Sequence, residues 1–136
     1  MDQDTPTILI IDDDDDIRSL LTARLEFSGY RVITAANGEI GLEQIRSEEP
    51  DLVLLDILMP RLDGFGVLKG LEQEGLSPTV VMITAHGTVQ TAVQAMQQGA
   101  FDFMLKPFQP EDVERHITRA LERTRLKKEN ERLQRE

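Results

Sequence analysis

The chain has 136 residues, a net charge of −10 and no cysteine. This length suits a single domain with a substantial core, and the lack of cysteine excludes disulfides and thiol chemistry. The charge is uneven, because residues 119–136 hold seven basic and four acidic side chains, which leaves −13 on the rest. An acidic body argues against direct nucleic-acid binding, whose affinity comes mainly from Lys and Arg.

The beginning of the sequence lacks the features of a signal peptide. Residues 1–4 are acidic and lead directly into an apolar run, with no basic segment before it. No apolar run approaches the roughly 20 residues that a membrane-spanning helix needs. We therefore expect a cytoplasmic protein without a membrane contact.

Apolar runs alternate with amphipathic segments five times along the chain. The predicted elements, in chain order, are strand 7–11, helix 15–27, strand 31–35, helix 38–46, strand 52–56, helix 65–73, strand 79–84, helix 88–97, strand 101–106 and a helix from residue 110 onward. Strict alternation at this spacing predicts an α/β fold, with a parallel sheet covered by helices on both faces.

Short polar residues and glycines mark several of these boundaries. We expect residues 14–16 to cap the first helix and complement its dipole, and Gly29 to end it. Asn37 is predicted to cap the second helix, and Gly99 to close the fourth.

The last helix extends beyond the point at which a compact domain would end. Four of its apolar residues share a face that can pack on the sheet: Val113, Ile117, Ala120 and Leu121. We predict a domain over residues 1–122 and a helical linker over 123–136. Leu126, Asn130 and Leu133 have the d–a–d spacing of a coiled coil, in which a polar a position sets the register. Two interpretations stay open: a dimerising coiled coil, or a frayed, solvated linker.

Polar residues end four of the predicted strands. Asp12 and Asp13 follow the first strand, Asp56 closes the third, Thr84 the fourth and Lys106 the fifth. In an open parallel α/β sheet these ends share one edge, and ligands bind there. Three carboxylates, a hydroxyl and an ammonium at this edge predict a Mg²⁺-dependent site that accepts a phosphoryl group.

Electrostatic repulsion is the main obstacle to phosphoryl transfer onto a carboxylate, and a divalent cation can offset it. Mg²⁺ takes oxygen ligands in octahedral geometry and retains waters. We predict Asp13, Asp56 and the backbone carbonyl of Leu58 as direct ligands, with Asp12 acting through water. Asp56 would itself become the aspartyl phosphate.

The remaining polar side chains are assigned to the phosphoryl oxygens. Lys106 would neutralise one oxygen, and the Thr84 hydroxyl would hydrogen-bond another. Each residue also has a structural interpretation: Asp12 and Asp13 can cap the first helix, and Lys106 before a proline can mark a turn with a cis peptide. Their joint occurrence at the strand ends favours the site.

Spacing excludes two related kinds of site. An EF-hand loop beginning at Asp12 would need Gly and Glu where the chain has Ile17 and Ala23. A phosphatase with an Asp nucleophile commonly has a second Asp two residues later, where this chain has Leu58. No glycine-rich phosphate-binding motif occurs, so nucleotide binding has no support.

Four segments in this order resemble a receiver domain of two-component response regulators: residues 8–14, 54–64, 82–87 and 106–108. The resemblance implies the doubly wound, flavodoxin-like strand order 2-1-3-4-5. It also implies a sensor histidine kinase as phosphoryl donor, and a switch in which Thr84 and Phe103 move. A receiver of this kind is a phosphorylation switch and not a turnover enzyme. Its signalling and dimerisation surface would be the fourth helix, fifth strand and fifth helix.

Finer detail is similar to the receivers of NtrC-like transcriptional activators. Residues 84–89, 99–103 and the extended helix over 119–136 carry this likeness. It implies an attached AAA+ domain that acts on σ54 polymerase and a DNA-binding domain, both absent from this chain. His86 would either orient a hydrolytic water or face solvent. The alternatives are a stand-alone Mg²⁺-binding docking module and, more weakly, a small phosphatase.

Overall fold

Strands and helices alternate along residues 5–85 and 87–135, the part of the chain that the computed structural model describes. The strands are β1 (Thr7–Ile11), β2 (Arg31–Ala35), β3 (Leu52–Asp56), β4 (Val80–Thr84) and β5 (Asp102–Leu105). The helices are α1 (Asp15–Phe27), α2 (Gly38–Glu48), α3 (Gly64–Gln73), α4 (Val89–Gln97) and α5 (Pro110–Arg135). The strands are parallel in the order β2-β1-β3-β4-β5, which confirms the predicted fold class and topology.

Alternate side chains of each strand enter two apolar clusters, one on each face of the sheet. Helices α2, α3 and α4 cover the cluster that contains Leu9, Val53 and Met82. Helices α1 and α5 cover the cluster that contains Ile10 and Leu54. Strands buried on both faces need apolar residues at every position, which explains the continuous apolar runs in the sequence.

The predicted caps are confirmed where the structure describes them. The Asp14 carboxylate accepts hydrogen bonds from two backbone N–H groups in the first turn of α1, and Asn37 does the same for α2 with one. Gly29 and Gly99 follow α1 and α4 with φ values of 96° and 107°, in the left-handed region that favours glycine. The peptide bond between Lys106 and the next proline is cis.

Several predicted boundaries were wrong by one or two residues. Helix α2 continues to Glu48, because the residue that ends it, Glu49, adopts a left-handed conformation (φ 46°) without a glycine to signal it. Thr79 lies before β4, where its side chain contacts α5. Lys106 is the first residue after β5, which ends at Leu105.

The distal part of α5 is fastened to the amino-terminal edge of the sheet. The buried Thr124 hydroxyl lies 2.6 Å from the Asp51 carbonyl oxygen and 2.7 Å from the Thr79 hydroxyl. Lys128 Nζ donates to Asp51 Oδ1 at 2.5 Å, and the other oxygen of this carboxylate accepts the Thr7 N–H at 2.8 Å. We call the contacts of Thr124 and Lys128 with Asp51 and Thr79 the α5 clasp. It lies at the opposite edge of the sheet from the polar strand ends.

The predicted linker is helical as far as residue 135, and Leu126 and Leu133 are about half exposed on it. The domain boundary after residue 122 stays a prediction, as does the choice between coiled coil and solvated linker. None of the helices in residues 5–85 and 87–135 is both long and apolar enough to cross a bilayer.

Candidate functional site

Three carboxylates meet at the carboxyl-terminal edge of the sheet. Asp12 follows β1, Asp13 is the next residue, and Asp56 ends the adjacent strand β3. Each offers a carboxylate oxygen within 4.8 Å of the others. Asp12 and Asp56 are buried, whereas Asp13 is exposed. The cluster therefore forms because these strands end at one edge of the sheet, where ligands bind in this kind of fold.

Lys106 supplies the positive charge of the site. Its Nζ lies 2.8 Å from Asp12 Oδ2 and 3.5 Å from Asp56 Oδ2, although β4 separates β5 from β3 in the sheet. Only 15% of the Lys106 side chain is exposed. An ammonium shared by two buried carboxylates is held by charge as well as by packing.

The environment of Asp12 leaves one carboxylate oxygen to be satisfied by a cation. Asp12 Oδ1 accepts the Asp14 N–H at 2.9 Å, and the Asp12 N–H donates to the Ala35 carbonyl at 3.1 Å. Oδ2 is buried, and the partner it has within the described residues is the Lys106 ammonium, 2.8 Å away. A buried oxygen of this kind is unfavourable unless a cation or donor satisfies it. With its two neighbours, it fits a hard divalent cation.

The pKa of Asp56 is raised to about 7. Burial of the carboxylate is the main cause, the negative charge of Asp12 adds to it, and the Lys106 ammonium opposes both. Burial lowers the pKa of Lys106, but its contacts with the two carboxylates outweigh burial and raise it. Lys106 therefore stays protonated at neutral pH, while Asp56 titrates there, a pattern typical of functional sites.

The predicted switch residues lie on the two neighbouring strands. Thr84 is buried at the end of β4, and its carbonyl accepts the Lys106 N–H at 2.8 Å. Phe103 on β5 is half-buried and packs against the cluster under α2, α3 and α4. A Cβ on Gly87 would lie 2.9 Å from the Phe103 ring, so the loop between β4 and α4 rests against that ring. The Phe103 ring and this loop are therefore close neighbours, and the predicted switch role of Phe103 stays a prediction.

The predicted roles of the Leu58 carbonyl and of His86 both stay predictions. The Leu58 side chain is 55% exposed beside the site, on the loop after β3. His86 lies outside the described residues, so both interpretations of it stay predictions. Sequence reasoning did not find Arg18, whose guanidinium donates to the Asp12 carbonyl at 2.7 Å. The sequence signal for it was an arginine two residues after a run of five aspartates.

Residues 8–118 match the family model of the response regulator receiver domain, and the chain belongs to that family. A probable transcriptional regulator, ycf27 of Cyanophora paradoxa, is 44% identical over 117 residues, which are 86% of this chain and 48% of the relative. The regulatory protein AtoC of Escherichia coli is 38% identical over 90% of this chain and 26% of its own length. This chain thus spans about half, or less, of these curated relatives.

A solved structure supports the same placement. NtrX from Brucella abortus superposes with a TM-score of 0.86 at 38% identity, over 95% of this chain and 29% of that chain. The similarity therefore covers nearly all of this chain but a minor part of the larger protein.

Proposed function

We propose that the protein is a phosphorylation switch, which takes a phosphoryl group onto Asp56 from the phosphohistidine of a sensor histidine kinase. The observation that carries this proposal is the surroundings of Asp56. Its carboxylate is buried beside a lysine ammonium 3.5 Å away and clusters with the carboxylates of Asp12 and Asp13 within 4.8 Å. A carboxylate in such surroundings can act as a nucleophile toward phosphorus.

The transfer exchanges one bond to phosphorus for another. An Asp56 oxygen bonds to phosphorus as the bond from phosphorus to the histidine nitrogen breaks, and that nitrogen keeps the electron pair. Asp56 must be ionised to react, and its pKa of about 7 leaves a substantial ionised fraction at neutral pH. Lys106 would then move from the carboxylates to a phosphoryl oxygen, and the Thr84 hydroxyl would bond another.

Asp13, Asp56 and the Leu58 carbonyl would hold Mg²⁺ directly, with Asp12 acting through water. Bound Mg²⁺ supplies positive charge against the repulsion between the carboxylate and the phosphoryl group. The exposure of Asp13 and the approach of the three carboxylate oxygens to within 4.8 Å of one another support this assignment. Each molecule would react with one phosphoryl group and later lose it to water, so the protein is a switch and not a turnover enzyme.

The surface that changes on phosphorylation and contacts other proteins would be formed by α4, β5 and α5. Four apolar side chains are exposed there, which supports a contact surface: Val89, Val93, Met96 and Leu105. Movement of Thr84 toward the phosphoryl group would make room for Phe103 to turn inward and shift the loop that rests on it. The switch would then control homodimer formation through this surface, through the C-terminal helix, or through both.

The relatives favour an output in transcription. Two of them are named as a transcriptional regulator and a regulatory protein, and both are longer than this chain. We propose that a full-length protein joins this receiver to a transcription-activating domain. The likeness to NtrX and AtoC supports an AAA+ and DNA-binding output of the σ54 type, whereas the identity to ycf27 is higher. The receiver itself is not expected to bind nucleic acid.

Intact-protein mass after incubation with a small acyl phosphate tests the proposal. We expect one Mg²⁺-dependent phosphoryl adduct on the wild type and none on Asp56→Asn. Asp51→Asn is the matched control, because it removes a carboxylate from just before the other end of β3 and should keep the adduct. A wild type that binds Mg²⁺ but stays unmodified would favour the docking module instead.

A further inference from the structure

Arg18 bridges the loop that carries two of the site carboxylates. Its Nη1 donates to the Asp12 carbonyl at 2.7 Å, and its Nη2 contacts the Asp15 carboxylate. Only 19% of the Arg18 side chain is exposed, although arginine is usually a surface residue. The guanidinium thus connects the end of β1 with the first turn of α1, and the proposed phosphoryl chemistry gives it no role.

The loop that Arg18 bridges has an electrostatic reason to open. Three carboxylates whose oxygens lie within 4.8 Å repel one another, and the ion pairs of Lys106 in the described residues are with two of them, Asp12 and Asp56. Asp13 is the exposed member of the cluster and has the most freedom to turn away. A contact that holds the main chain before Asp13 would keep its carboxylate directed toward the other two.

The contacts of Asp12 show which group the arginine fixes. The N–H and Oδ1 of Asp12 are already bound within the protein, to Ala35 and Asp14 respectively. The Asp12 carbonyl belongs to the peptide plane that joins Asp12 to Asp13, and Arg18 donates to this oxygen. A planar guanidinium that also engages Asp15 sets the orientation of that plane.

We propose that Arg18 is a positioning residue for the divalent-cation site, which keeps the Asp12 and Asp13 carboxylates convergent by holding the peptide between them. This inference rests on the proposed function, because it requires that Mg²⁺ binds at this cluster. Partners that orient metal ligands are typically worth 10- to 100-fold in metal affinity. Loss of the Arg18 contacts should therefore weaken Mg²⁺ binding roughly tenfold.

A contribution from charge alone would have the opposite sign. Arg18 is a cation beside an anionic site and repels Mg²⁺, so removal of its charge by itself would tighten binding. Such a charge effect shrinks as salt screens it, whereas a positioning effect persists. The direction of the change therefore separates the two roles.

The experiment measures the Mg²⁺ dissociation constant by calorimetry, and by the amide chemical shifts of Asp13 and Asp14, at low and high ionic strength. The variants are Arg18→Met, Arg18→Lys and a control, Arg24→Met. The control removes a cation from the same helix, and this cation pairs with Glu114 and not with the site. We expect weaker binding for both Arg18 variants at both salt concentrations. The lysine variant keeps the charge but cannot span both acceptors. The control should match the wild type.

Three results would speak against the inference, and they are distinguishable. Tighter or unchanged binding by the Arg18 variants, beside a wild type that binds Mg²⁺, would overturn the positioning role alone. Equal weakening by Arg24→Met would also overturn it, because the effect would then not depend on the loop. A wild type without Mg²⁺ affinity would overturn the proposed function and this inference together. If Arg18→Met does not fold, Arg18→Lys still decides the question.

Discussion

The Cα of Gly64 lies so close to the main chain at Asp56 that no side chain fits between them. A Cβ on Gly64 would lie 2.6 Å from the Asp56 carbonyl oxygen and 2.8 Å from the Ile57 Cα. The Gly64 N–H also donates to the Ile57 carbonyl at 2.8 Å. The first residue of α3 is therefore packed directly on the end of β3, and the position of the proposed phosphoryl acceptor depends on it.

Substitution of Gly64 by alanine should disturb the site. The two closest atoms to the added methyl group belong to the backbone, so β3 or α3 must move. This should lower the free energy of unfolding by about 1–3 kcal/mol. Phosphorylation of Asp56 by an acyl phosphate should slow as well. Gly70→Ala is the control on the same helix, because the nearest atoms to its Cβ would belong to the flexible Leu42 side chain, at 3.0 Å and beyond. Equal phosphorylation rates in the two variants would contradict the prediction.

Asp56 should give the metal-free protein a stability component that decreases as pH rises. Its pKa is raised from 3.8 to about 7 by burial and by Asp12, so the folded state binds this proton more tightly than the unfolded state. The component is fully present below about pH 4 and is lost as pH rises through about 7, with a slope of at most about 1.4 kcal/mol per pH unit.

The difference in unfolding free energy between wild type and Asp56→Asn isolates this component. Chemical denaturation in chelator, from pH 4 to pH 8, should show the wild type losing stability relative to the variant across that window. Mg²⁺ favours the ionised carboxylate and should shrink the loss. A difference that is constant with pH in chelator would mean that Asp56 is ionised throughout.

Thr84→Ala should separate phosphorylation from its readout. The acceptor and Lys106 remain, so the adduct should still form, but the buried hydroxyl that would follow the phosphoryl group is gone. Coupling between the site and α4 is expected to amount to about 1–3 kcal/mol in such switches. The chemical shifts of α4 amides on activation should therefore respond less than in the wild type. Thr84→Ser keeps the hydroxyl and should respond normally; a full response from Thr84→Ala would rule out this role.

The α5 clasp should make part of the predicted linker necessary for stability. Removal of residues 123–136 deletes the hydrogen bonds of Thr124 and Lys128, whereas removal of 130–136 leaves them in place. Because each hydrogen bond contributes about 1 kcal/mol and the exposed Lys128 pair adds little, we expect the first deletion to lower the unfolding free energy by about 2–3 kcal/mol. The second should change it little.

Point variants locate the effect of the clasp. Thr124→Val keeps the shape of the side chain but removes its hydroxyl, and should reproduce about half of the loss in thermal or chemical unfolding. Thr118→Val, at an exposed position on the same helix, is the control. If both threonine variants are equally stable, the clasp does not contribute to stability.

The fold was readily predicted, because strands buried on both faces must be apolar throughout and the caps of α1 are short polar residues. The residues that were not predicted correctly depend on contacts or conformations that produce no recognisable sequence pattern. Glu49 ends α2 in a left-handed conformation that glycine usually adopts. Thr79 was predicted as a strand residue, and its contact with Thr124 could not be read from the sequence, because the two lie 45 residues apart.

At the site, the convergence of Asp12, Asp13, Asp56 and Lys106 follows from one rule, that parallel strands end at a common edge. The Arg18 contact does not follow from it, because its acceptor is a main-chain carbonyl and every residue has one. The role of Arg18 in positioning the Mg²⁺ ligands stays a prediction, as do the switch roles of Thr84 and Phe103.

The α5 clasp also determines where a foreign domain can be joined to this receiver. Helix α5 contacts the sheet edge as far as Lys128, so a reporter fused after that residue would inherit a fixed helical phase. Each residue inserted there would turn the reporter by about 100° around the helix axis. An insertion between Thr124 and Lys128 would instead pull one clasp residue out of register with Asp51. Biosensors built on this receiver should therefore vary in length only beyond residue 128.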